Sequence, residues 1–201
     1  MVMRGRRRLV VGISGASGVI FGVRLLEQLA LRPDIETHLV ITDAARLTLA
    51  HEMGITSRQL RELVAAEHDV RNLAAPIASG SFRTMGMVIA PCSMNTLSAI
   101  AYSQASNLLT RAADVCLKER RPLVLIPRET PLHLGHLRAM VQAAELGAVI
   151  LPPMPAFYHH PATIDDLVLH IVGKVFDQLG LEHDLFQRWG EAETTGQACE
   201  E

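Results

Sequence analysis

Short apolar runs alternate along the chain with longer stretches in which apolar residues recur every three or four positions. An unbroken short apolar run predicts a strand that is buried on both faces, whereas recurrence at three or four positions predicts an amphipathic helix. The runs cover residues 9–13, 37–41, 85–90, 123–126 and 148–151. This alternation predicts an α/β protein in which a parallel sheet lies between two layers of helices.

Predicted helices follow most of these strands. They cover residues 19–30, 42–53, 56–67, 96–103, 108–120, 134–146 and 163–179, and the stretch 68–84 has no regular pattern. Thr42 and Thr163 stand where a helix needs an N-terminal cap, and Asp166 follows Thr163 at the spacing of a capping box. No linker divides the chain. One domain is therefore predicted over residues 1–201, with a basic N-terminal extension at 1–7 and a loose C-terminal tail at about 190–201.

Composition narrows the class of protein. Apolar residues make up 49% of the 201 residues but aromatic residues only 4%, so apolar surface must be buried in doubly covered strands or in a subunit interface. A net charge of -2 does not suggest a nucleic-acid partner, and no apolar stretch reaches the ~20 residues that cross a bilayer. The three cysteines are odd in number and widely spaced, which argues against a disulfide framework. These features predict a reduced, cytoplasmic protein without membrane insertion.

Chemistry is expected in the loops that follow the strands, because ligands of open α/β sheets bind outside the carboxyl ends of the strands. Loop 12–18 has glycine at every third position, which matches neither the Walker A loop nor the dinucleotide fingerprint. It is either a tight turn without a ligand or a loop that contacts a phosphate or a flavin. Loop 91–98 offers hydroxyls from Ser93, Thr96 and Ser98, as a second phosphate cradle or as plain helix caps. Two cradles at one edge of a sheet suit a mononucleotide.

Charged residues mark two further places. Arg111, Asp114 and Lys118 share one face of a predicted helix, either as a solvated face with an Asp114–Lys118 pair or as a basic pair that binds a phosphate. Arg128 and Glu129 come directly after a buried strand. Charges at that position favour a functional interpretation, because they are expected to face a site.

A metal site and a cysteine nucleophile are not predicted. The histidines at 133, 136, 159 and 160 are not accompanied by a set of carboxylates or thiolates that would complete a metal site. Cys92 has no identifiable base beside it, so it is expected to be a small buried residue.

Six stretches of the chain resemble flavin prenyltransferases of the UbiX type. In chain order they are G-I-S-G-A-S-G, P-C-S-M-N-T-L-S, R-A-A-D-V-C-L-K-E-R-R-P-L-V-L, P-R-E-T-P-L-H-L-G-H-L, G-A-V-I-L-P-P-M-P-A-F-Y-H and R-W-G-E, and they span residues 8–191. The resemblance implies a Rossmann-like, flavodoxin-like fold and a homododecamer with active sites between subunits. It also implies that FMN and dimethylallyl phosphate bind without a metal, and that the prenyl group is joined to N5 and C6 of reduced FMN. The product, prenylated FMN, would serve UbiD-type decarboxylases, which in many bacteria act in ubiquinone synthesis.

The resemblance also implies roles for individual residues. The residues that contact FMN would be Gly15, Ala16, Ser17, Thr42, Ser93, Met94, Asn95, Thr96 and Arg128. Dimethylallyl phosphate would be bound by Tyr158 and Lys174, together with Arg111 and Lys118 of a neighbouring subunit. Ser17, near flavin N5, and the acidic Glu52 and Glu129 would take part in the chemistry. Some relatives have Arg where this chain has Lys174, so the charge is kept here but the bidentate geometry is lost.

Physical chemistry agrees with that assignment and separates it from two alternatives. Basic side chains and a tyrosine hydroxyl can stabilise the phosphate that leaves an allylic carbon. The first alternative, an FMN-dependent cysteine decarboxylase of the same superfamily, has no need of this basic set. The second, a non-catalytic FMN-carrying subunit of a decarboxylase, could lose Glu129, Lys118 and Lys174 without penalty, and all three are present.

Overall fold

Parallel strands form one sheet in the computed structural model, which describes residues 6–190. The strands of the described chain are β1 (Arg7–Ile13), β2 (Ile35–Ile41), β3 (Ala66–His68), β4 (Gly86–Cys92), β5 (Leu123–Pro127) and β6 (Val149–Ile150). Their order across the sheet is β3-β2-β1-β4-β5-β6, and every neighbouring pair is parallel. The chain order therefore reverses between β1 and β4, which makes the gap beyond their carboxyl ends the expected ligand crevice.

Helices cover both faces of the sheet. They are α1 (Val19–Ala30), α2 (Asp43–Met53), α3 (Ser57–Arg61), α4 (Met94–Ala101), α5 (Leu108–Lys118), α6 (Leu134–Glu145) and α7 (Ile164–Gln178). The first three and α7 pack on one face, whereas α4, α5 and α6 pack on the other. This arrangement confirms the predicted three-layer α/β/α fold. Within residues 6–190, no helix is long and apolar enough to cross a membrane.

Each central strand contributes side chains to two cores. Leu9 and Val11 of β1 lie in the core beneath α1 and α7, whereas Val10 between them lies in the core beneath α4 and α5. Burying one such side chain completely contributes about 1.5–3 kcal/mol. Because both faces are covered, the strands appear in the sequence as unbroken apolar runs rather than as an alternating pattern.

Close contact between α1 and the sheet fixes one end of the crevice. A Cβ atom at Gly22 would lie 2.3 Å from the carbonyl oxygen of Ala90 in β4. A side chain at position 22 would therefore push α1 away from the sheet. With glycine there, the N-terminus of α1 is held beside the end of β4.

Both helix caps expected from the sequence are confirmed. Thr42 Oγ1 accepts a hydrogen bond from the N–H of Ala45 at 3.1 Å. At the start of α7, Thr163 Oγ1 accepts from the N–H of Asp166 at 3.1 Å, and the Asp166 carboxylate accepts from the N–H of Thr163 at 2.8 Å. Caps depend on residues close in the chain, which is why the sequence was sufficient to predict them.

The helix predicted over residues 56–67 is wrong in its second half. Only α3 is helical there, and β3 follows it as an edge strand paired with β2. In β3 the side chain of Glu67 is only 6% exposed and forms ion pairs with Arg46 at 2.6 Å and Arg61 at 2.8 Å. A strand that buries a paired carboxylate has no apolar run to reveal it.

The predicted terminal segments meet the structure only in part. Arg7, assigned to the N-terminal extension, is the first residue of β1. The tail predicted at about 190–201 lies outside the described residues from position 191 onward, and so does Cys199.

Candidate active site

Ser14 joins the two loops at the point where the strand order reverses. Its hydroxyl donates to the carbonyl of Pro91 at 3.0 Å and accepts from the N–H of Ser93 at 2.7 Å. Because Ser14 is fully buried, both bonds are made inside the protein, and they tie the loops after β1 and β4 together. Sequence reasoning did not single out Ser14. The sequence signal that could have identified it is a serine at the end of an apolar run, because a hydroxyl buried there must form hydrogen bonds within the protein.

The first loop brings a carboxylate to the N-terminus of α1. Glu52, from α2, accepts hydrogen bonds from the N–H of Gly18 at 2.9 Å and from that of Val19 at 3.2 Å. These N–H groups form the positive end of the helix and are the ones that would otherwise bind an anion. Gly15 allows the close approach of α2, since a Cβ atom there would lie 2.4 Å from the Cβ of Ala44. The anion at this helix end is therefore a side chain of the protein itself.

Electrostatics keep the Glu52 carboxylate charged. Desolvation raises its pKa, but the hydrogen bonds from Ser17, Gly18 and Val19 and the charge of Arg128 together outweigh that effect, so the pKa lies below its ordinary value. Ser17 therefore lies beside Glu52, and the Arg128 charge is near enough to act on the same carboxylate. Ser17 and Arg128 come from two strand-end loops and Glu52 from α2, and the family resemblance implies a role for all three.

The second loop starts α4 and has a different arrangement. Ser93 Oγ accepts from the N–H of Thr96 at 3.3 Å and donates to Thr96 Oγ1 at 3.1 Å, which confirms the capping role considered for Ser93. The next N–H groups, of Met94 and Asn95, have no acceptor within the helix because they belong to its first turn. The N-terminus of α4 therefore offers backbone donors to an external anion.

Arg128 and Thr42 complete the edge of the crevice. The N–H of Arg128 donates to the carbonyl of Cys92 at 3.3 Å, which ties the loop after β5 to the end of β4. The N–H of Thr42 donates to the carbonyl of Ile13 at 3.0 Å, which ties the loop after β2 to the end of β1. Since Thr42 Oγ1 already accepts from Ala45, the hydroxyl hydrogen can be donated elsewhere.

An apolar cavity of about 350 Å³ opens beside Arg128 and Glu129. Its walls include Leu132, Leu137 and Met154. Glu129 is exposed, and its Oε1 accepts from the N–H of Thr130 at 3.0 Å. A carboxylate and a guanidinium thus stand at the mouth of a mostly apolar space.

Tyr158 and Lys174 lie on the face of the sheet that α7 covers. The ring of Tyr158 meets His170 of α7 edge-on at 6.0 Å, and Lys174 follows His170 one helical turn later. Lys174 Nζ lies 3.1 Å from Oδ2 of Asp177. Both residues selected from the sequence are therefore found around α7.

Arg111 and Lys118 lie in the opposite layer, on α5. Arg111 donates to the carbonyl of Ala78 at 3.1 Å and to Asp114 at 2.7 Å, while Lys118 pairs with Glu119. The prediction of an Asp114–Lys118 ion pair is therefore wrong, because Asp114 pairs with Arg111 instead. Since the sheet separates α5 from α7, one chain does not bring its own Arg111 and Lys118 to Tyr158 and Lys174.

In the described residues, Cys92 and Cys116 are buried in the protein and His133 caps a helix. Cys92 is fully buried, and burial raises the pKa of its thiol, which confirms the expectation of a small buried residue. Burial also raises the pKa of Cys116, to about 11. His133 caps α6, because its Nδ1 accepts from the N–H of Gly135 at 3.0 Å. Among residues 6–190 no group of three or more metal-ligating side chains is arranged to hold an ion.

Comparison with known proteins identifies the family. The model of the Flavoprotein family matches residues 2–176. Flavin prenyltransferase UbiX of Escherichia coli (strain K12) is 60% identical over 185 residues, which cover 91% of this chain and 98% of that protein. The chain belongs to the UbiX family of flavin prenyltransferases. The resemblance found in its six sequence stretches is thereby confirmed.

Solved structures of UbiX proteins share the fold. A dodecameric FMN-dependent UbiX-like decarboxylase from Escherichia coli O157:H7 superposes with a TM-score of 0.88 at 48% identity, covering 90% of this chain and 98% of that one. The UbiX protein PadA1, solved in complex with FMN and dimethylallyl pyrophosphate, gives 0.89 at 45% identity, covering 94% of this chain and 100% of that one. The FMN-dependent cysteine decarboxylase TvaF is 17% identical with a TM-score of 0.61, which shows a common fold alone. The comparisons therefore favour a UbiX enzyme over the cysteine decarboxylase considered as an alternative.

Proposed function

We propose that this UbiX chain transfers the dimethylallyl group of dimethylallyl phosphate to N5 and C6 of reduced FMN and releases prenylated FMN and phosphate. The observation that carries the proposal is the meeting of Ser17, Glu52 and Arg128 at the strand reversal, beside an apolar cavity. A site for flavin chemistry is expected there, at the carboxyl ends of the strands. The 60% identity to Escherichia coli UbiX supports the same activity.

The donor set around α4 fits the phosphate of FMN. Backbone N–H groups of Met94 and Asn95, the hydroxyls of Ser93 and Thr96, and the Arg128 guanidinium together offer hydrogen bonds and positive charge. The loop Gly15, Ala16 and Ser17, together with Thr42, would contact the rest of the flavin. Reduced FMN would supply two nucleophilic atoms. N5 would bond to the allylic carbon as phosphate leaves with the electrons of the carbon–oxygen bond, and C6 would bond to the other end of the prenyl group once its double bond has taken up a proton.

The leaving phosphate is a dianion and needs positive charge and hydrogen-bond donors. Tyr158 and Lys174 supply a hydroxyl and an ammonium from one chain, and Arg111 and Lys118 would come from a neighbouring copy. This division follows from the fold, because the sheet separates α5 from α7 within a chain. The proposed site is therefore complete only in an oligomer.

A dodecamer accounts for apolar side chains that a single chain leaves exposed. On α6, Leu134, Leu137 and Val141 are exposed, and the buried residues of that helix are Ala139 and Ala143. An amphipathic helix with its larger apolar side chains outward requires a partner surface. The dodecameric state of the structural relative from Escherichia coli O157:H7 supports the proposal of the same assembly here.

Two carboxylates have different proposed roles. Glu52 is held by three hydrogen bonds and stays charged, so it orients Ser17 and keeps the loop in place. Glu129 is exposed at the mouth of the apolar cavity. The proton that leaves flavin C6 when the ring closes would pass to Glu129 or to the bound phosphate. The apolar walls exclude the water that would otherwise capture an allylic cation.

The product would be used elsewhere in the cell. Prenylated FMN has no further reaction in the proposed site, so we propose that a UbiD-type decarboxylase takes it up, in ubiquinone synthesis or in decarboxylation of other aromatic acids. We place both proteins in the cytoplasm. A pull-down of the decarboxylase with prenylated flavin bound, in cells with and without this chain, tests the transfer.

One incubation tests the activity. The purified protein is mixed under anaerobic conditions with reduced FMN and dimethylallyl phosphate, and the flavin is examined by mass spectrometry. The expected product is a flavin heavier by one C5H8 unit, with one inorganic phosphate released for each flavin. A protein that binds FMN and returns it unchanged would be the non-catalytic carrier considered from the sequence, and the proposal would be wrong.

A further inference from the structure

Asp177 of α7 is surrounded by three basic side chains. Its Oδ2 lies 3.1 Å from Lys174 Nζ, and its Oδ1 accepts from Arg188 Nη2 at 2.8 Å and from His183 Nε2 at 3.1 Å. His183 Nδ1 accepts from the N–H of Leu185 at 3.2 Å, so in the neutral imidazole the proton lies on Nε2 and is donated to Asp177. The Asp177 side chain is 20% exposed. Arg188 and His183 therefore hold the Asp177 carboxylate in place independently of its contact with Lys174.

The segment 183–189 folds back over α7 and connects Asp177 with Tyr158. Phe186 packs against Gly173, where a Cβ atom would lie 2.5 Å from its Cε1. The Arg188 guanidinium lies 5.5 Å from the centre of the Phe186 ring. Trp189 meets the ring of Tyr158 edge-on at 5.5 Å. The segment 183–189 therefore contacts Tyr158 directly and Lys174 through Asp177, and these are the two residues that this chain contributes to the proposed phosphate site.

A lysine is less well ordered than an arginine as a ligand of a phosphate. Its ammonium is a point charge on a flexible four-carbon chain, without the fixed fork of donors that arginine presents. Ordering such a side chain costs conformational entropy at the moment of binding unless it is already ordered. The pair with Asp177, one turn along α7, restricts the positions of the Lys174 ammonium before any ligand arrives.

We infer that Asp177 is a positioning residue for Lys174, and that Arg188 and His183 serve the site by fixing Asp177. The inference rests on the proposed function, in which Lys174 binds the phosphate of dimethylallyl phosphate. Asp177 acts through Lys174 and is not assigned a contact with the substrate.

Charge alone predicts the opposite effect on the substrate. A carboxylate near a phosphate dianion repels it, so removing the carboxylate should tighten phosphate binding if only the net charge matters. If Asp177 positions Lys174, its removal should weaken binding, because the ammonium becomes disordered. The sign of the change therefore separates the two explanations.

The test compares three variants by steady-state prenylation with reduced FMN and varied dimethylallyl phosphate. Asp177→Asn is expected to raise KM for dimethylallyl phosphate about tenfold, with kcat changed by less than about threefold and the dissociation constant of FMN unchanged. Asp177→Glu keeps the charge and is expected to recover part of the wild-type KM. Asp165→Asn removes a carboxylate from the first turn of the same helix, where it pairs with Arg24 at 2.6 Å, and is the matched control expected to leave KM unchanged.

A KM that stays the same or falls in Asp177→Asn, in an otherwise active protein, overturns the inference and leaves the proposed function standing. A wild-type protein that makes no prenylated flavin overturns both. Should Asp177→Asn fail to bind FMN through misfolding, Arg188→Gln decides the question, because it removes one support of Asp177 and leaves the pair with Lys174 in place. This variant is expected to raise KM in the same direction by about threefold, and an unchanged KM would count against the inference.

Discussion

The N-termini of α1 and α4 flank the same strand reversal, and both follow loops considered from the sequence as phosphate cradles, yet they have different partners. At α1, the N–H groups of Gly18 and Val19 are bonded to Glu52, a side chain of the protein. At α4, Ser93 caps the N–H of Thr96, whereas the N–H groups of Met94 and Asn95 have no acceptor within the helix. The difference arises from α2, which carries Glu52 to one helix end and not to the other. Two loops that were both candidate phosphate cradles can therefore have opposite roles, one as a fixed part of the site and one as a place for a ligand anion.

The largest expected effect concerns Glu129, a carboxylate at the cavity mouth that, unlike Glu52, is not bonded to a helix N-terminus. If Glu129 takes the proton released on ring closure, Glu129→Gln should slow that step by about 100-fold, since a positioned general base contributes at least that much. FMN binding and formation of the first bond to the prenyl group should change little. Anaerobic single-turnover experiments with quench and mass spectrometry separate the two steps. Ring closure at the wild-type rate in this variant would contradict the role given to Glu129.

A second, smaller effect tests the α4 side of the comparison. Ser93→Ala removes a hydroxyl and the cap of the α4 N-terminus, and should weaken FMN binding about tenfold through loss of a hydrogen bond to a charged group. Titration of protein with FMN by flavin fluorescence gives the dissociation constant. Ser98→Ala, on the same helix but beyond its first turn, is the control and should bind FMN like the wild type. Equal weakening in both variants would show that the N-terminus of α4 is not the phosphate site.

The smallest effect tests the α1 side. Glu52→Gln removes a charge from the positive end of α1 and should lower the free energy of unfolding at pH 7 by about 0.5 kcal/mol, a modest figure because the carboxylate is solvent-exposed. Because folding lowers the pKa of Glu52, its contribution is fully present above the ordinary value of 4.5 and is lost as the pH falls through the folded-state pKa. Urea unfolding of wild type and variant across pH 3–7 measures the difference. A gap between the two proteins that stays constant down to the lowest pH would mean that the charge does not act at this helix end.

Much of the fold was predictable because it depends on local patterns. The strands β1, β4 and β5 appear as apolar runs because both their faces are buried, and Thr42 and Thr163 cap helices through neighbours three residues away. The location of the site loops was also predictable, since parallel strands have their carboxyl ends at one edge of the sheet. The identity of the family followed from six stretches of sequence and is confirmed by the relatives.

The remaining features depend on residues that are far apart in the chain. Glu52 reaches Gly18, Ser14 reaches Pro91 and Glu67 reaches Arg46, and no local pattern encodes these meetings. Only the tertiary structure decided that the N-terminus of α1 already holds an anion, that β3 is a strand whose Glu67 pairs with two arginines, and that three basic side chains contact Asp177. The physical reason is that apolar periodicity is repeated along the sequence, whereas a hydrogen bond or an ion pair is a single contact whose partners are chosen by the packing of distant elements. By itself the sequence determined the architecture and the family, and the packing of α2, α5 and α7 determined which charged groups meet.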